Sequence, residues 1–347
     1  MAKSTWTYLK GEKRIGEYEE LSIRLGHWWI MEDEEWPEEM KRGFHLYSET
    51  GVGMVEPTRL HIKDQYRYRD PYKLVYRNYN IQQDTEEKKL DAIIEGAKSS
   101  NAFQDSPVMA SIKQKYIPAM RHYFWGSGML QIYGSTYTPS GTVMNTLLFQ
   151  VFDSMRHAQR LVELTWELNH AAGIVVDSHD IWLNWNEIQP LRKLIEVSLT
   201  TFDWGENIIL GNFVLNPIFQ PLHTIIMVQI PQAQGDWAIP QFWLRLAEDI
   251  KRHNVCGEEF VKAMLKEDER NKEIIQEWID KWYGLAVDAI DGLEPIIEEA
   301  NKNGYNRTYT EIKAEILLNF ADKLHLYGLK VPETKGGKYE STIGIPG

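Results

Sequence analysis

The first candidate for chemistry is Glu167-Leu168-Asn169-His170, the one Glu-x-x-His in the chain. A spacing of three puts both side chains on one face of a helix. Two such pairs, with one further Glu from each of two other helices, hold the metals of a carboxylate-bridged di-iron bundle. Glu163 stands one turn before the motif and Glu206 lies further along the chain. Glu163, Glu167, His170 and Glu206 are therefore the set that a self-sufficient metalloenzyme would use. A second copy of the motif is absent, and the nearest approach, Asp249-Ile250-Lys251-Arg252-His253, is one residue too long. From Ser106 to Phe152 there is no Asp or Glu. The helix that should donate the first carboxylate has none to give. The expectation is a bundle with no catalytic, cofactor-binding or metal residues of its own, with Glu167 and His170 as the only fallback ligands.

The remaining polar candidates read as structural. His122, in Arg121-His122-Tyr123, and His157, in Arg156-His157-Ala158, are expected at surface or capping positions. Asp203 and Glu206 lie three apart and are expected to bond to a neighbouring element from one helix face. His179 and Asp180 read as turn residues in a short connection. Cys256 is the single cysteine. It cannot form an internal disulfide and has no activating neighbours, which fits an inert thiol in a reducing, cytoplasmic compartment. Phosphate-binding glycine loops, G-x-S-x-G elbows and paired CxxC motifs are missing.

The elements that must position these residues are helices. A helix is expected from Asp84 to Ser99, a second from Pro107 past Trp125, and a third from Thr142 to Ala172. A fourth should cover Ile188 to Asn216, a fifth Pro240 to His253, a sixth Glu258 to Ala300, and a last Tyr309 to Leu326. In the sixth, Ile274, Trp278, Trp282, Leu285 and Ala289 make an apolar stripe. Residues 1–83 are expected as an extended arm. They are rich in aromatics interleaved with charges and lack a 3.6-residue period. Residues 84–330 form the helical domain and 331–347 a loose tail. Two long stretches carry no charge, Trp125 to Phe152 and Asn207 to Gly235. Their glycines, prolines and amides favour core helices over membrane spans. With 38 basic and 50 acidic residues in 347, a net charge of −12, the chain lacks the basic footprint that nucleic acid or anionic lipid requires.

Several short motifs, in order, resemble one family. They begin with Trp6-x-x-Leu9-x-Gly11, Arg14 and Glu17-Tyr18-Glu19. Tyr68-Arg69-Asp70-Pro71 leads to Leu74-Val75-Tyr76-Arg77-x-Tyr79 and Gln83-Asp84. Phe202-Asp203-Trp204-Gly205-Glu206 and Asn216-Pro217 follow, then Asn271-Lys272-Glu273 and Trp278-x-x-Lys281-Trp282. The pattern is similar to the β subunit of the hydroxylase of soluble bacterial multicomponent di-iron monooxygenases, of the toluene, aromatic or alkene type. The resemblance implies an all-α, ferritin-like (ribonucleotide-reductase-like) long-helix bundle with no iron. Its partners would be a catalytic α subunit holding the di-iron centre and a small γ subunit, in two protomers. NADH, flavin and iron–sulfur centres would belong to a reductase and ferredoxin, and an effector protein would regulate turnover. Glu-x-x-His at 167–170 departs from the pattern of such β subunits.

Two other classes stay open, the self-sufficient metalloenzyme and an unrelated helical scaffold. Interface residues are expected in the arm: Trp6, Tyr8, Tyr66, Arg67, Tyr68, Arg69, Tyr72, Tyr76, Arg77 and Tyr79. Tyr, Trp and Arg dominate binding hot spots, and Arg69 before Asp70-Pro71 sits in an extended or turn geometry.

Overall fold

The computed structural model describes residues 16–24, 58–64, 66–138 and 140–333. Trp6, Tyr8 and the tail from 334 onward lie outside them. Among the described residues there is no strand. The long helices are α1 (Tyr76–Ser99), α2 (Ile117–Tyr137) and α3 (Gly141–Ala172). A short α4 (Ser178–Asn184) and α5 (Gln189–Ser198) lead to α6 (Trp204–Ala233). Then come α7 (Ala238–Glu267), α8 (Asn271–Asp291), α9 (Glu294–Lys302) and α10 (Tyr309–Leu326).

Short connections make α2 with α3, and α6 with α7, two antiparallel hairpins. α7 ties the hairpins together by packing on both α3 and α1, while α8 and α10 cover α6. The crossing of α7 on α6 is close: a Cβ at Gly257 would fall 2.6 Å from the Cβ of Asn212. Local sequence sets the ends. Ser140 accepts the Val143 N–H to start α3, and Gly173 ends it in the left-handed region at φ 66°. Thr308 and Glu311 form a reciprocal capping box at α10.

α6 holds the uncharged stretch, and its three prolines do not break it. Pro217 and Pro231 each follow a π-helical turn, at Ile209–Leu215 and Ile225–Gln229. Pro118 follows another, Ser111–Tyr116, at the start of α2. A proline has no N–H for the carbonyl four residues back and crowds it; the wider turn just ahead accommodates that fault. α6 is long and apolar enough to cross a bilayer, but 78% of its most apolar window is buried within the fold.

Several boundaries differ from expectation. The first helix starts at Tyr76, not Asp84, so Tyr76, Arg77 and Tyr79 are helical rather than extended. The expected fourth helix is two, α5 and α6. Asp203 divides them as the N-cap of α6, accepting the N–H groups of Gly205 and Glu206. The expected fifth and sixth are divided elsewhere: α7 runs unbroken through Val255 and Gly257 to Glu267, and α8 starts after Arg270. Asp268 takes an extended conformation there, its carboxylate accepting the Arg270 N–H at 3.0 Å. The stripe Ile274, Trp278, Trp282, Leu285 and Ala289 is buried as expected.

The described part of the arm lies on this chain's own helices. Glu267 accepts the backbone N–H groups of Lys63 and Asp64, both at 2.8 Å, and Asn271 accepts that of His61 at 2.7 Å. The turn at Glu17–Arg24 is tied to α3 through Asn145 and Ser22, 2.8 Å apart.

Candidate functional site

The Glu-x-x-His set does not assemble. Glu167 is buried against α1, 3.2 Å from Lys98 Nζ, whereas His170 is exposed and stacks flat on Trp166, ring centroids 5.0 Å apart. Glu163 pairs with Arg160 at 2.6 Å. Glu206 is committed to α8, accepting from Trp282 Nε1 and Lys281 Nζ, each at 2.7 Å. Among the described residues, no group of three or more His, Cys, Asp or Glu is placed to hold a metal ion.

What the bundle does assemble is a pair of matching pentapeptides, Asp153-Ser154-Met155-Arg156-His157 on α3 and Asp249-Ile250-Lys251-Arg252-His253 on α7. Both read Asp-x-x-Arg-His, and each serves the other. His157 Nε2 lies 3.0 Å from Asp249 Oδ2, and His253 Nε2 lies 2.8 Å from Asp153 Oδ2. Arg156 pairs with Asp249 and Arg252 with Asp153 across the same gap, and Arg252 also reaches Asp249 Oδ1 at 3.1 Å. α1 closes the third side. Gln83 Nε2 donates to Asp153 at 3.1 Å and to Asp249 at 2.9 Å, and the Tyr79 hydroxyl donates to Asp153 at 2.8 Å. At the rim Glu87 receives Arg156 at 2.7 Å and Arg160 at 2.6 Å.

All four residues of the two Asp–His pairs are buried, Asp153 and His157 completely. Burial alone would raise the Asp249 carboxyl, but the hydrogen bond to His157 and the charges of Arg156 and Arg252 hold it well below the ordinary range. Burial pushes His157 below its ordinary value despite Asp249, so its imidazole stays neutral. Burial opposes the charge of Arg252 as well, but the two aspartates outweigh it and fix the guanidinium as a cation. The cluster is an internally neutralised set of two carboxylates and two guanidiniums.

The residues present do not fit a di-iron centre. Three positions before each histidine, where such a bundle carries Glu, stand Ser154 and Ile250. Ser154 donates to Gln131 of α2 at 2.9 Å, and Ile250 is core. The faces of α2 and α6 turned toward His157 carry rings. Phe124 meets His157 edge-on at 4.9 Å, and His223 packs on Trp243 at 4.1 Å. His157 Nδ1 and His223 Nε2 are buried with no protein hydrogen-bond partner. Burial takes His223 down to about 3.

Sequence reading placed His157 at the surface or a cap. It is instead at the centre, and the repeated Asp-x-x-Arg-His was the signal that could have found it. His122 is half-buried and stacked on Trp182 at 5.5 Å; burial takes it to about 4. His179 and Asp180 begin α4, capped by Asp177, rather than forming a turn. Asp203 is the cap of α6 rather than a helix-face residue, but it does bond to a neighbouring segment as expected, accepting the Arg59 N–H at 2.7 Å, and burial raises its carboxyl against the N–H groups it accepts. Cys256 is buried 3.8 Å from Asp70, and burial pushes its thiol far up. Of the arm residues, Tyr68 and Tyr79 are buried in this chain's own core, and Tyr66 packs under Arg69 at 5.6 Å. Arg67 pairs with Glu267 at 2.5 Å and Arg77 with Glu17 at 2.8 Å, while Tyr72 and Tyr76 stand exposed.

The chain has relatives among known proteins. The β subunit of the toluene-4-monooxygenase hydroxylase component of Ectopseudomonas mendocina is 27% identical over 327 residues, covering 90% of this chain and 96% of that one. Two oxygenase components of the phenol 2-monooxygenase of Pseudomonas sp. strain CF600 are also similar. DmpN is 25% identical, covering 64% of this chain and 43% of its own; DmpL is 26% identical, covering 62% of each. The solved structure of phenol hydroxylase from Pseudomonas sp. OX1 superposes with a TM-score of 0.74 at 19% identity, covering 92% of this chain and 93% of that one. The architecture is thus the ferritin-like helical fold of these hydroxylases. A model of the methane/phenol/alkene hydroxylases matches residues 36–268, and the chain belongs to that family.

Proposed function

We propose that the chain is the β subunit of the hydroxylase of an NADH- and O2-dependent hydrocarbon monooxygenase, itself free of metal, and that it supports a larger homologous α subunit holding the di-iron centre. Similarity to a toluene-4-monooxygenase β subunit along nearly the whole of both chains supports the subunit assignment. The metal-free role is carried by one observation. The Asp-x-x-Arg-His pair turns both histidines onto carboxylates and neutralises those carboxylates with Arg156 and Arg252. A cation pair of the protein's own neutralises Asp153 and Asp249, and neither of these two carboxylates is left to bind a metal.

In this reading a γ subunit completes each of two protomers. A reductase with flavin and iron–sulfur centres, a ferredoxin and an effector protein act transiently, and the assembly is cytoplasmic. Exposed Tyr72, Tyr76 and Arg77, together with Trp6 and Tyr8, contribute to the contact with α. The test is metal analysis of the purified chain beside the chain co-expressed with its α subunit. The expected result is no stoichiometric iron on the chain alone, and hydrocarbon turnover by α only when the chain is present. Two irons per isolated chain, lost together on Glu167→Ala, would overturn it.

A further inference from the structure

Three polar atoms at the centre of the bundle have no protein partner among the described residues: His157 Nδ1 on α3, and Gln220 Oε1 and His223 Nε2 on α6. All three residues are buried, the two histidines completely. They share one level of the bundle. Tyr123 and Phe124 are neighbours on α2; Tyr123 takes a hydrogen bond from Gln220 Nε2 at 3.2 Å, and the Phe124 ring meets His157 at 4.9 Å. His223 follows Gln220 by three residues, on the same face of α6. Its ring lies 6.1 Å from Phe124 and 4.1 Å from Trp243, and Trp243 lies 6.2 Å from His157. The two imidazoles are near enough for His157 to disfavour a charge on His223.

The neighbours decide where the ring protons sit. Asp249 is ionised and can only accept, so His157 Nε2, 3.0 Å away, carries the proton and Nδ1 is a bare lone pair. The Tyr116 phenol, just ahead of α2, is kept neutral by burial, and its hydroxyl lies 2.5 Å from His223 Nδ1. A phenol is the stronger acid of that pair and an imidazole nitrogen the stronger base, so the hydroxyl donates. The His223 proton therefore sits on Nε2. The three orphaned atoms are one donor, His223 Nε2–H, and two acceptors, His157 Nδ1 and Gln220 Oε1.

We propose that these atoms form a binding site for a single buried water, which accepts from His223 Nε2–H and donates to His157 Nδ1 and Gln220 Oε1. Three bonds to otherwise unsatisfied groups is the usual complement of such a water, and an orphaned buried group carries its full desolvation penalty. A metal ion does not suit the set, because His223 presents a hydrogen where a ligand needs a lone pair. The water joins Tyr116, His223, His157 and Asp249 into one hydrogen-bonded chain that reaches α6, α3 and α7. The inference is independent of the subunit reading.

Oxygen-17 relaxation dispersion on the full chain counts waters held inside a fold, with the solvent itself as the probe. His223→Phe removes the donor and should lower the count by one. Gln220→Met removes one acceptor and should release the water at least about tenfold faster, since one of about three bonds is lost. Leu318→Gln, exposed on α10, should change neither. An unchanged count in His223→Phe, with circular dichroism showing it folded, overturns the proposal. Nitrogen-15 spectra of the histidine-labelled wild type test it without any variant. His157 and His223 should each carry a single proton, on Nε2, from about pH 8 to about pH 5. A proton on His223 Nδ1 would make Nε2 a lone pair and overturn the donor assignment. In a crystal of the wild-type chain, a water about 2.7–3.2 Å from all three atoms supports the site. Xenon entering the same space would show it dry and apolar and would overturn it.

Discussion

The two faces of α3 invert the usual order of a globular helix. Its inner face carries Asp153, Arg156, His157 and Arg160, and its outer face carries Phe152, Val162 and Trp166. Asp153 and His157 have no exposed surface, whereas Trp166 is 58% exposed. Charged groups are rarely buried unless paired, and large exposed apolar patches mark interaction sites. The inner face obeys the first rule through α7 and α1: the matching motif of α7 partners Asp153, Arg156 and His157, and Glu87 and Asp91 of α1 partner Arg160. The outer face obeys the second. The comparison teaches that the buried side of α3, apolar at Val143, Leu147, Leu161, Leu164 and Leu168, admits charges only where α7 and α1 pair them.

Breaking the inner face should have the largest effect. Asp153→Ala takes the acceptor from His253 and the Tyr79 hydroxyl and leaves Arg252 with Asp249 alone. Removing one partner from a buried pair costs about 3–5 kcal/mol, a large part of the 5–15 kcal/mol of a typical domain. Urea unfolding followed by circular dichroism checks it. Asp153→Leu combined with Arg252→Met removes both charges and should recover much of the loss, because isosteric apolar replacements of buried ion pairs are often neutral. A single variant within about 1 kcal/mol of wild type would mean that water reaches the cluster.

This inverted helix also explains what could be read from sequence. The existence of α3 and α10 was legible as the long runs Thr142 to Ala172 and Tyr309 to Leu326, and the caps Ser140, Gly173 and Thr308 stand at their ends in the structure. The bundle was legible from the uncharged stretches and from the Trp278–Trp282 stripe. Division of the chain at Asp203 and Asp268 was not, since both acids continue a helical pattern and cap only through local backbone bonds. The centre was missed for a different reason. A search for Glu-x-x-His finds Glu167, whose partner His170 faces solvent, and passes over Asp-x-x-Arg-His, whose ligands are each other. Reciprocity between α3 and α7 is a tertiary property, visible in sequence only as the repetition of a short motif.

Acid should expose the same centre more gently. His157 and His223 are held neutral below the ordinary histidine value, so the unfolded chain takes up protons that the fold refuses. Their stabilisation is complete above about pH 6.5 and falls as pH drops through it, with a limiting slope of about 1.4 kcal/mol per pH unit for His223. Asp249 acts lower down. Its folded value lies below its unfolded one, so its contribution is present above about pH 4 and is lost on further acidification. His223→Phe should flatten the slope between pH 6.5 and about 4.5, measured as unfolding midpoints across pH. An unchanged slope would place the titration elsewhere.

Glu206 tests whether a buried acid outside the cluster behaves like one inside it. Its carboxylate accepts from buried Trp282 and from half-exposed Lys281. Glu206→Ala leaves the indole N–H without that acceptor and should cost about 1–3 kcal/mol, less than Asp153→Ala because only one buried donor is stranded. Double substitution with Trp282→Phe should cost less than the sum of the singles, since the two share one bond.

The smallest effect should come from the outer face of the isolated chain. Trp166→Glu replaces a ring that is 58% exposed and whose main neighbour, His170, is itself exposed. Surface changes away from caps and buried partners shift stability by less than about 0.5 kcal/mol. The lost Trp–His stacking adds only a part of the 0.5–1.5 kcal/mol that a buried aromatic pair contributes. Unfolding of Trp166→Glu should therefore almost coincide with wild type, while unfolding of Asp153→Ala, thirteen residues away on the same helix (166 − 153 = 13), should not. If Trp166→Glu instead destabilises the isolated chain by more than about 2 kcal/mol, the outer row belongs to this chain's own core, and the inversion of α3 is only apparent.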